Sequence, residues 1–153
     1  NEIEGIRDSK TLSEKQREKL FEIITNSDVI WSFGYGSARL IDAKGIMFAV
    51  RKATVQAYEK LTVKPDFCLN DGNLTGFDFK YECFNKGDRD VYVIAMASVI
   101  AKVIRDRAMK EYDKRFPEYG FAQHKGYGTK MHYERIKEFG MCEIHRRSFI
   151  NDR

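Results

Sequence analysis

The chain has 153 residues, of which 42% are apolar and 33% are charged, and its formal charge at pH 7 is +4. This length and apolar content suffice for a compact domain with a hydrophobic core, and they exclude an intrinsically disordered chain. The uncharged stretch at residues 91–101 is far shorter than the roughly 20 apolar residues of a membrane-spanning helix.

The first predicted element is a helix in TLSEKQREKLFEIITN. Ser13 and Gln16 have the spacing of a capping box, an overlapping box begins two residues earlier, and apolar residues follow at helical intervals. The next segment, VIWSFGYGS at 29–37, is aromatic and β-branched and ends in glycines, which predicts a strand. RLIDAKGIMFAVRKATVQAYEKL then predicts a short helical turn and a longer helix over residues 44–61.

Two short strands and two helices follow. FCLN is predicted as a buried strand that runs into the turn DGN, and FKYECF as a second strand. Residues 91–115 are predicted to form the longest helix, and residues 129–139 a closing helix that Gly140 ends. Strands that alternate with helices indicate a layered α/β fold, and the lack of repeats and Pro/Gly-rich linkers predicts a single domain over residues 1–153.

Two aspartates follow the two strands. Asp71 comes directly after FCLN, and Asp88 comes between FKYECF and the longest helix. In layered α/β folds, sites gather at the ends of strands, and two carboxylates that converge there can bind a divalent metal. Each aspartate alone has another explanation: Asp71 is a common turn residue before glycine, and Asp88 or Asp90 is a suitable helix N-cap.

The longest helix and the loop after it carry further polar residues. Ser98, Lys102 and Asp106 lie on one helical face, where Lys102 and Asp106 could also be only an intrahelical ion pair. HKGYGTK, residues 124–130, combines two cations, two glycines and a tyrosine. That combination suits a loop that binds a phosphate backbone and packs an aromatic ring on a sugar or base.

Charge and cysteine usage add weaker indications. Residues 121–153 contain seven Lys/Arg and four Asp/Glu, which fits either a substrate-binding surface for a polyanion or an ordinary solvated surface. The cysteines at 68, 83 and 142 form no C-x-x-C pair, so neither a disulfide framework nor a zinc knuckle is expected. The acidic opening, NEIEGIRDSK, does not resemble a secretory signal. We therefore expect a cytoplasmic location.

Six stretches together resemble one family. In chain order they are DSKTLS, NDGN, KGD, ASVIAKVIRDR, YGFAQHKGYGTK and IHRRSF, and with this order and spacing the chain resembles bacterial ribonuclease HII. The resemblance implies a ribonuclease H-like three-layer fold with a mixed sheet and a C-terminal helical segment. It also implies an endonuclease that uses Mg²⁺ or Mn²⁺ and two-metal-ion catalysis to cut the RNA strand of RNA–DNA hybrids, and to cut at ribonucleotides embedded in duplex DNA. The products carry a 3′-hydroxyl and a 5′-phosphate.

The resemblance also assigns roles to single residues. Asp71 and Asp88 match two of the family's four metal-binding, catalytic acids, whereas Asp90 and Asp106 match none. Tyr127 matches the tyrosine that packs on the sugar beside the ribonucleotide. The positions that match contacts to the nucleic-acid backbone are Lys10, Ser98, Lys125 and, more loosely, Arg146. The three histidines have no metal-ligand spacing, and no catalytic role is expected for them.

One family motif does not occur in these 153 residues. It is an Asp-Glu-Ala-Gly-Arg-Gly segment that supplies the other two acids and the groups that read the 2′-hydroxyl. We therefore expect the first strands of the sheet to be missing, the chain to bind metal weakly and cleave poorly, and its apolar edges to drive self-association. Three hypotheses remain: a ribonuclease HII that lacks its N-terminal portion, a non-catalytic nucleic-acid-binding fragment and, less favoured, another metal-dependent phosphohydrolase of similar fold.

Overall fold

The computed structural model describes residues 3–6 and 11–150. These residues contain helices and two strands, which confirms the α/β class. The helices are α1 (Glu14–Thr25), α2 (Ala38–Lys44), α3 (Ile46–Lys60), α4 (Gly87–Asp90), α5 (Tyr92–Arg115), α6 (Phe121–His124) and α7 (Lys130–Phe139); the strands are β1 (Cys68–Asp71) and β2 (Tyr81–Phe84); two 3₁₀ turns cover Pro117–Tyr119 and Arg147–Phe149. That residues 1–153 form one domain stays a prediction.

Helix α1 begins at the expected capping box and packs on α5. Ser13 Oγ accepts a hydrogen bond from Gln16 N–H at 3.3 Å, and Gln16 Oε1 accepts one from Ser13 N–H at 2.8 Å. The shared core consists of Leu20, Phe21 and Ile24 from α1 and Ala95, Val99, Ile100 and Val103 from α5, together with Ile6. Burial of these apolar side chains fixes α1 against the N-terminal half of the longest helix.

The sheet consists of two short parallel strands. Cys68 is opposite Tyr81 and Asp71 is opposite Phe84. Both strands are where the sequence predicts them, but the described residues form no further strands, so the sheet is smaller than the expected mixed sheet. Both α4 and α5 contact β1, which places the start of the longest helix beside the sheet.

The predicted strand at residues 29–37 is wrong. This segment is irregular and lies against α3, to which its polar groups are bonded: Lys60 Nζ, for example, donates to Phe33 C=O at 3.1 Å. Its glycines permit this contact, since a Cβ at Gly34 would lie 1.9 Å from Ala53 O. No strand among the described residues pairs with the segment, so its β-branched and aromatic composition alone does not make it a strand.

The C-terminal helical segment has its own small core. Met109, Tyr119 and Phe121 are buried there, with Cys142 and Ile144 packed against them. Helix α7 begins at Thr129, whose hydroxyl accepts a hydrogen bond from His132 N–H at 3.2 Å, and it ends at Gly140, which has a φ of 78°. These bounds confirm the predicted closing helix.

Large apolar side chains remain exposed around α3 and β1. None of the helices in the described ranges is both long and apolar enough to span a bilayer. The exposed apolar residues in this region include Ile30, Trp31, Phe33, Tyr35, Met47, Phe48, Phe67 and Leu69. Exposed apolar surface of this extent favours association with other surfaces.

Candidate active site and nucleic-acid-binding loop

The two candidate metal ligands lie at the same end of the sheet. Asp71 ends β1 opposite Phe84, and Asp88 follows Phe84 by four residues in α4. Asp71 Oδ1 accepts a hydrogen bond from Gly87 N–H at 2.8 Å, so the first carboxylate is bonded to the residue directly before the second. The structure therefore brings these two predicted residues to one corner of the sheet.

Close packing at Gly87 positions Asp88. A Cβ at Gly87 would lie 2.6 Å from Ile94 Cδ1 and 3.2 Å from Phe84 Cβ, so a side chain does not fit between β2 and α5. Lys86, directly before it, has a φ of 59°, a left-handed conformation that costs a non-glycine residue about 1–2 kcal/mol. The tight turn at Lys86 and Gly87 thus determines where α4 begins and where the Asp88 carboxylate lies.

Neither Asp88 nor Asp90 caps a helix. The cap positions of α4 and α5 are Lys86 and Val91, and neither makes a side-chain cap, so the helix-cap explanation is wrong for both aspartates. Asp90 instead pairs with Arg89 at 2.7 Å on the surface, as expected for a residue outside the site. The hydrogen bond from Arg89 lowers the pKa of Asp90.

The two carboxylates at this corner are the kind of ligand that a divalent cation prefers, but there are only two of them. Asp71 is exposed and Asp88 is half-buried. Carboxylate oxygens are the ligands that Mg²⁺ and Mn²⁺ prefer, and one Mg²⁺ can be bound by one or two carboxylates, water and a substrate phosphate. Among residues 3–6 and 11–150, no three His, Cys, Asp or Glu side chains form a metal-binding group. The two carboxylates are therefore ligands of the right kind for a divalent cation and too few to hold a pair of ions firmly.

Tyr127 lies at the surface beside two cations of α5. Its side chain is 56% exposed, with Lys102 Nζ 5.3 Å and the Arg105 guanidinium carbon 6.0 Å from the ring centroid. Arg105 also donates a hydrogen bond from Nη2 to the Lys125 carbonyl at 3.1 Å. An accessible ring flanked by positive charge suits stacking on a sugar or base next to a phosphate.

Lys125 is buried, in contrast to Tyr127. Only 8% of the residue is exposed, and its ammonium group donates to the Ala122 carbonyl and lies 3.6 Å from Glu14 Oε2. Glu14 also forms an ion pair with Lys110. The hydrogen bond from Lys110 is the main cause of the lowered pKa of Glu14. A contact between Lys125 and a phosphate would require its side chain to leave Glu14.

The other predicted backbone-binding residues are spread over the fold. Ser98 is half-buried in α5, and Arg146 is half-buried with its guanidinium carbon 4.4 Å from the centroid of the Phe149 ring. Burial lowers the pKa of Arg146, and repulsion by nearby Arg105 adds to the effect. Lys10 lies outside the described residues.

The polar face of α5 contains a buried ion pair. Lys102 Nζ lies 2.5 Å from Asp106 Oδ1, which confirms the predicted intrahelical pair. Asp106 is 3% exposed, and Arg17 Nη2 of α1 lies 3.4 Å from its second oxygen. Asp106 is therefore bound to its neighbours inside the fold and is not part of the metal corner.

Sequence reasoning missed a cluster formed by the three histidines. His124, His132 and His145 are all 6% exposed, and their rings contact one another beside the loop that carries Tyr127. Burial lowers the pKa of His145 to about 4, and it also lowers the pKa of His132. Their spacing along the chain matches no known ligand pattern, so only the fold reveals that they meet.

Comparison with known proteins identifies the family. A sequence profile described as Ribonuclease HII matches residues 2–152. A protein named Ribonuclease HII from Aliivibrio fischeri is 47% identical over 150 residues, which cover 97% of this chain and 72% of that protein. Another from Caldicellulosiruptor bescii is 44% identical over 151 residues, 98% of this chain and 73% of that protein. The chain belongs to the ribonuclease HII family.

The ribonuclease HII membership confirms the predicted enzyme class, an endoribonuclease. The ribonuclease HII family acts on RNA–DNA hybrids and generally depends on a divalent metal. A crystal structure of the ribonuclease H2 from Pyrococcus horikoshii OT3 superimposes with a TM-score of 0.68 at 24% identity, covering 94% of this chain and 76% of that one. This likeness confirms the predicted ribonuclease H-like fold.

Proposed function

We propose that this ribonuclease HII chain hydrolyses the RNA strand of RNA–DNA hybrids and cuts beside single ribonucleotides in duplex DNA, leaving a 3′-hydroxyl and a 5′-phosphate. The observation that carries the proposal is the hydrogen bond from Gly87 N–H to Asp71 Oδ1, because it joins the strand ends that bear the two carboxylates. The family match over residues 2–152 supports the same activity.

Asp71 and Asp88 are the proposed ligands of Mg²⁺ or Mn²⁺. A cation bound there would stabilise charge on the scissile phosphate and lower the pKa of a bound water. Asp71 is held in place for this role by Gly87, and Asp88 by the close packing of the same glycine against Ile94. Both carboxylates therefore need little reorganisation when the substrate binds.

The substrate is proposed to lie between this corner and the loop at Tyr127. The exposed ring of Tyr127 packs on the sugar beside the ribonucleotide, and Lys102 and Arg105 beside it attract the phosphate backbone. The further proposed contacts to the backbone are Lys10, Ser98, Lys125 and Arg146, and the basic region 121–153 adds to the attraction.

Two-metal-ion catalysis requires more carboxylates than Asp71 and Asp88. Since the described residues bring no third acidic, histidine or cysteine ligand to the corner, we expect the 153-residue chain to bind metal weakly and to cleave slowly. Rapid hybrid cleavage by the purified chain would contradict this expectation.

Cleavage of a labelled DNA duplex with one embedded ribonucleotide tests the proposal. With Mg²⁺ or Mn²⁺ present, we expect a cut on the 5′ side of the ribonucleotide, and a loss of rate on the order of 10²-fold in Asp71→Asn and in Asp88→Asn. Asparagine at position 71 keeps an oxygen that can accept the hydrogen bond from Gly87 N–H.

Asp90→Asn is the matched control. It makes the same charge change two residues from Asp88, at a surface aspartate that pairs with Arg89. The control should cleave like the unmutated chain. Cleavage that persists in both site variants would show that Asp71 and Asp88 are not the catalytic residues.

A second candidate function is nucleic-acid binding without cleavage. The exposed Tyr127 ring with Lys102 and Arg105 nearby favours binding independently of the metal corner. Duplex binding by a chain that does not cleave, even with excess Mn²⁺, would favour this second function.

A further inference from the structure

Three histidines that the proposed reaction does not use form one buried cluster beside the loop of residues 125–129. His124 ends α6, His132 lies in the first turn of α7, and His145 follows α7. The rings of His124 and His132 stack with their centroids 4.1 Å apart, and the Nε2 atoms of His132 and His145 are 3.0 Å apart. The cluster therefore joins three separate parts of the chain.

Backbone groups determine which nitrogen carries the proton in two of these rings. Cys142 N–H donates to His145 Nδ1 at 2.9 Å, so a neutral His145 carries its proton on Nε2. That proton faces His132 Nε2, which must accept it, and this leaves the proton of His132 on Nδ1. His132 Nδ1–H then donates to the Tyr127 carbonyl at 2.9 Å.

The same reasoning applies to His124. Gly126 N–H donates to His124 Nδ1 at 3.1 Å, and His124 Nε2–H donates to the Tyr119 carbonyl at 2.9 Å. Two backbone groups of the loop, at Gly126 and Tyr127, are thus bonded to imidazole rings. All these hydrogen bonds form together only when the three rings are neutral, because an added proton would place two donors face to face.

We propose that His124, His132 and His145 are positioning residues that, in their neutral forms, hold the loop in the conformation that presents Tyr127 to the nucleic acid. The inference rests on the proposed function, because it gives the loop a part in substrate binding. The Tyr127 ring is exposed while the backbone beneath it is bonded on both sides, by His132 and by Arg105 through the Lys125 carbonyl. A preorganised loop loses less conformational entropy when the substrate binds.

The surroundings of the cluster favour neutral rings. The titratable and charged groups around it are Glu118, Tyr119, Arg105, Tyr133, Cys142 and Arg146. Arg146 opposes a positive charge on His132, and the rings oppose charge on one another. Glu118 acts on Cys142 and Tyr119 and is not bonded directly to a ring.

The pH dependence follows from these burial effects. The pKa of His145 falls from 6.5 to about 4 on folding, because burial penalises its charged form. The unfolded chain therefore binds more protons between these values, and the bonded cluster loses stability as pH falls from about 6.5 toward 4. Above that range the neutral cluster is fully retained.

NMR of the ring nitrogens tests the proposal in the unmutated chain. At pH 7.5 we expect the proton on Nε2 of His124 and His145 and on Nδ1 of His132. We also expect slow hydrogen exchange at the Gly126 amide, with protection decreasing below about pH 5 after correction for intrinsic exchange. Averaged tautomers in all three rings, or three ring pKa values near 6.5, would contradict the proposal.

Two variants separate positioning from stability. His132→Phe removes the bonds to the Tyr127 carbonyl and to His145 Nε2 and keeps an aromatic ring. Tyr119→Phe is the matched control, because it removes a hydrogen bond in the same core, from the tyrosine hydroxyl to the Gly140 carbonyl at 3.1 Å, and leaves both loop bonds intact.

We expect His132→Phe to speed exchange at Gly126 and to weaken binding of a fluorescent duplex with one ribonucleotide by about tenfold, because the Tyr127 backbone is no longer bonded to the cluster. Tyr119→Phe should change neither. Equal effects of the two variants on binding and exchange would overturn the proposal. If His132→Phe does not fold, the ring tautomers and the Gly126 amide protection of the unmutated chain still test the proposal.

The two proposals fail separately. If the unmutated chain does not bind the duplex at all, the proposed function is wrong. The ring tautomers and the protection of Gly126 would still determine whether the histidines hold the loop. If the duplex binds equally well to His132→Phe, the proposed function survives and the positioning role is wrong.

Discussion

Asp106 is a buried carboxylate that lies between cations of two helices. It is 3% exposed, with Lys102 of α5 at 2.5 Å and Arg17 of α1 at 3.4 Å. The spacing of Lys102 and Asp106 predicts their contact, but no spacing reveals Arg17, which lies 89 residues away in the sequence. This carboxylate therefore ties α1 to α5 within the same interface that holds the main apolar core.

Removal of this carboxylate should strongly destabilise the chain. We expect Asp106→Ala to lower the free energy of unfolding by about 3 kcal/mol, because it leaves two half-buried cations without their shared carboxylate. Urea denaturation measures the change. Glu111→Ala is the control, since it breaks an exposed pair with Lys114 at 2.6 Å that should contribute less than about 1 kcal/mol. Equal losses in the two variants would show that burial adds nothing to the Asp106 interaction.

At the scale of elements, residues 29–37 show how close backbone contact replaces strand pairing. A Cβ at Gly34 would lie 1.9 Å from Ala53 O, and a Cβ at Gly36 would lie 2.9 Å from Ala49 Cβ. In the sequence, these glycines predicted the end of a strand. In the fold they are the points where the segment contacts α3.

Substitution of these glycines tests that contact. Gly34→Ala should lower the free energy of unfolding by about 3 kcal/mol, because its new methyl group meets rigid helix backbone. Gly36→Ala should cost less, since its neighbour is a side-chain methyl group that lies farther away. Thermal unfolding followed by circular dichroism compares the two. Tolerance of alanine at position 34 would mean that the segment does not lie against α3 in solution.

Local signals explain which elements could be predicted correctly. The capping box at Ser13, the hydroxyl cap at Thr129 and the glycine at 140 act on backbone a few residues away, so the bounds of α1 and α7 could be predicted. Asp71 and Asp88 could be identified as candidates for the same reason, because Asp71 ends β1 and Asp88 lies four residues after β2. Their catalytic role stays a prediction.

Long-range contacts explain what the sequence did not reveal. The burial of Lys125 depends on Glu14, from the other end of the chain, whereas the sequence suggested a loop cation near the nucleic-acid backbone. The histidine cluster requires the turn after α7 to bring His145 back to His132. Neither contact leaves a periodic pattern, since both depend on how helices pack in three dimensions.

For the whole molecule, the exposed apolar side chains around α3 form the surface that most favours self-association. Trp31 and Phe33 lie on the segment that contacts α3, and Met47 and Phe48 lie in its first turn. These apolar side chains are exposed near one another. Grouped apolar surface of this kind associates in water. The described sheet also has only two strands, so each of them is an edge strand, a position that favours pairing with other chains.

We expect the chain to self-associate in a concentration-dependent manner through this surface. Sedimentation velocity should show a shift toward monomer in Phe48→Glu, because a charge there opposes apolar contact. Phe139→Glu is the control, since Phe139 is 48% exposed, close to the 44% of Phe48, but lies at the end of α7. A monomeric unmutated chain, or equal shifts in both variants, would contradict this prediction.

The parallel pairing of β1 and β2 has a consequence for the order of folding. Its partners are near in sequence, since Asp71 pairs with Phe84 only 13 positions later, and such contacts close small loops at little cost in chain entropy. The carboxylate corner is thus a local structure that residues 68–94 contain, including the packing of Gly87 against Ile94. The contacts beneath the loop at Tyr127 are equally local, since His132 and His145 are also 13 positions apart. We therefore expect the metal corner and the substrate-binding loop both to form from local contacts, ahead of the packing of α1 on α5, where Arg17 and Asp106 are 89 positions apart.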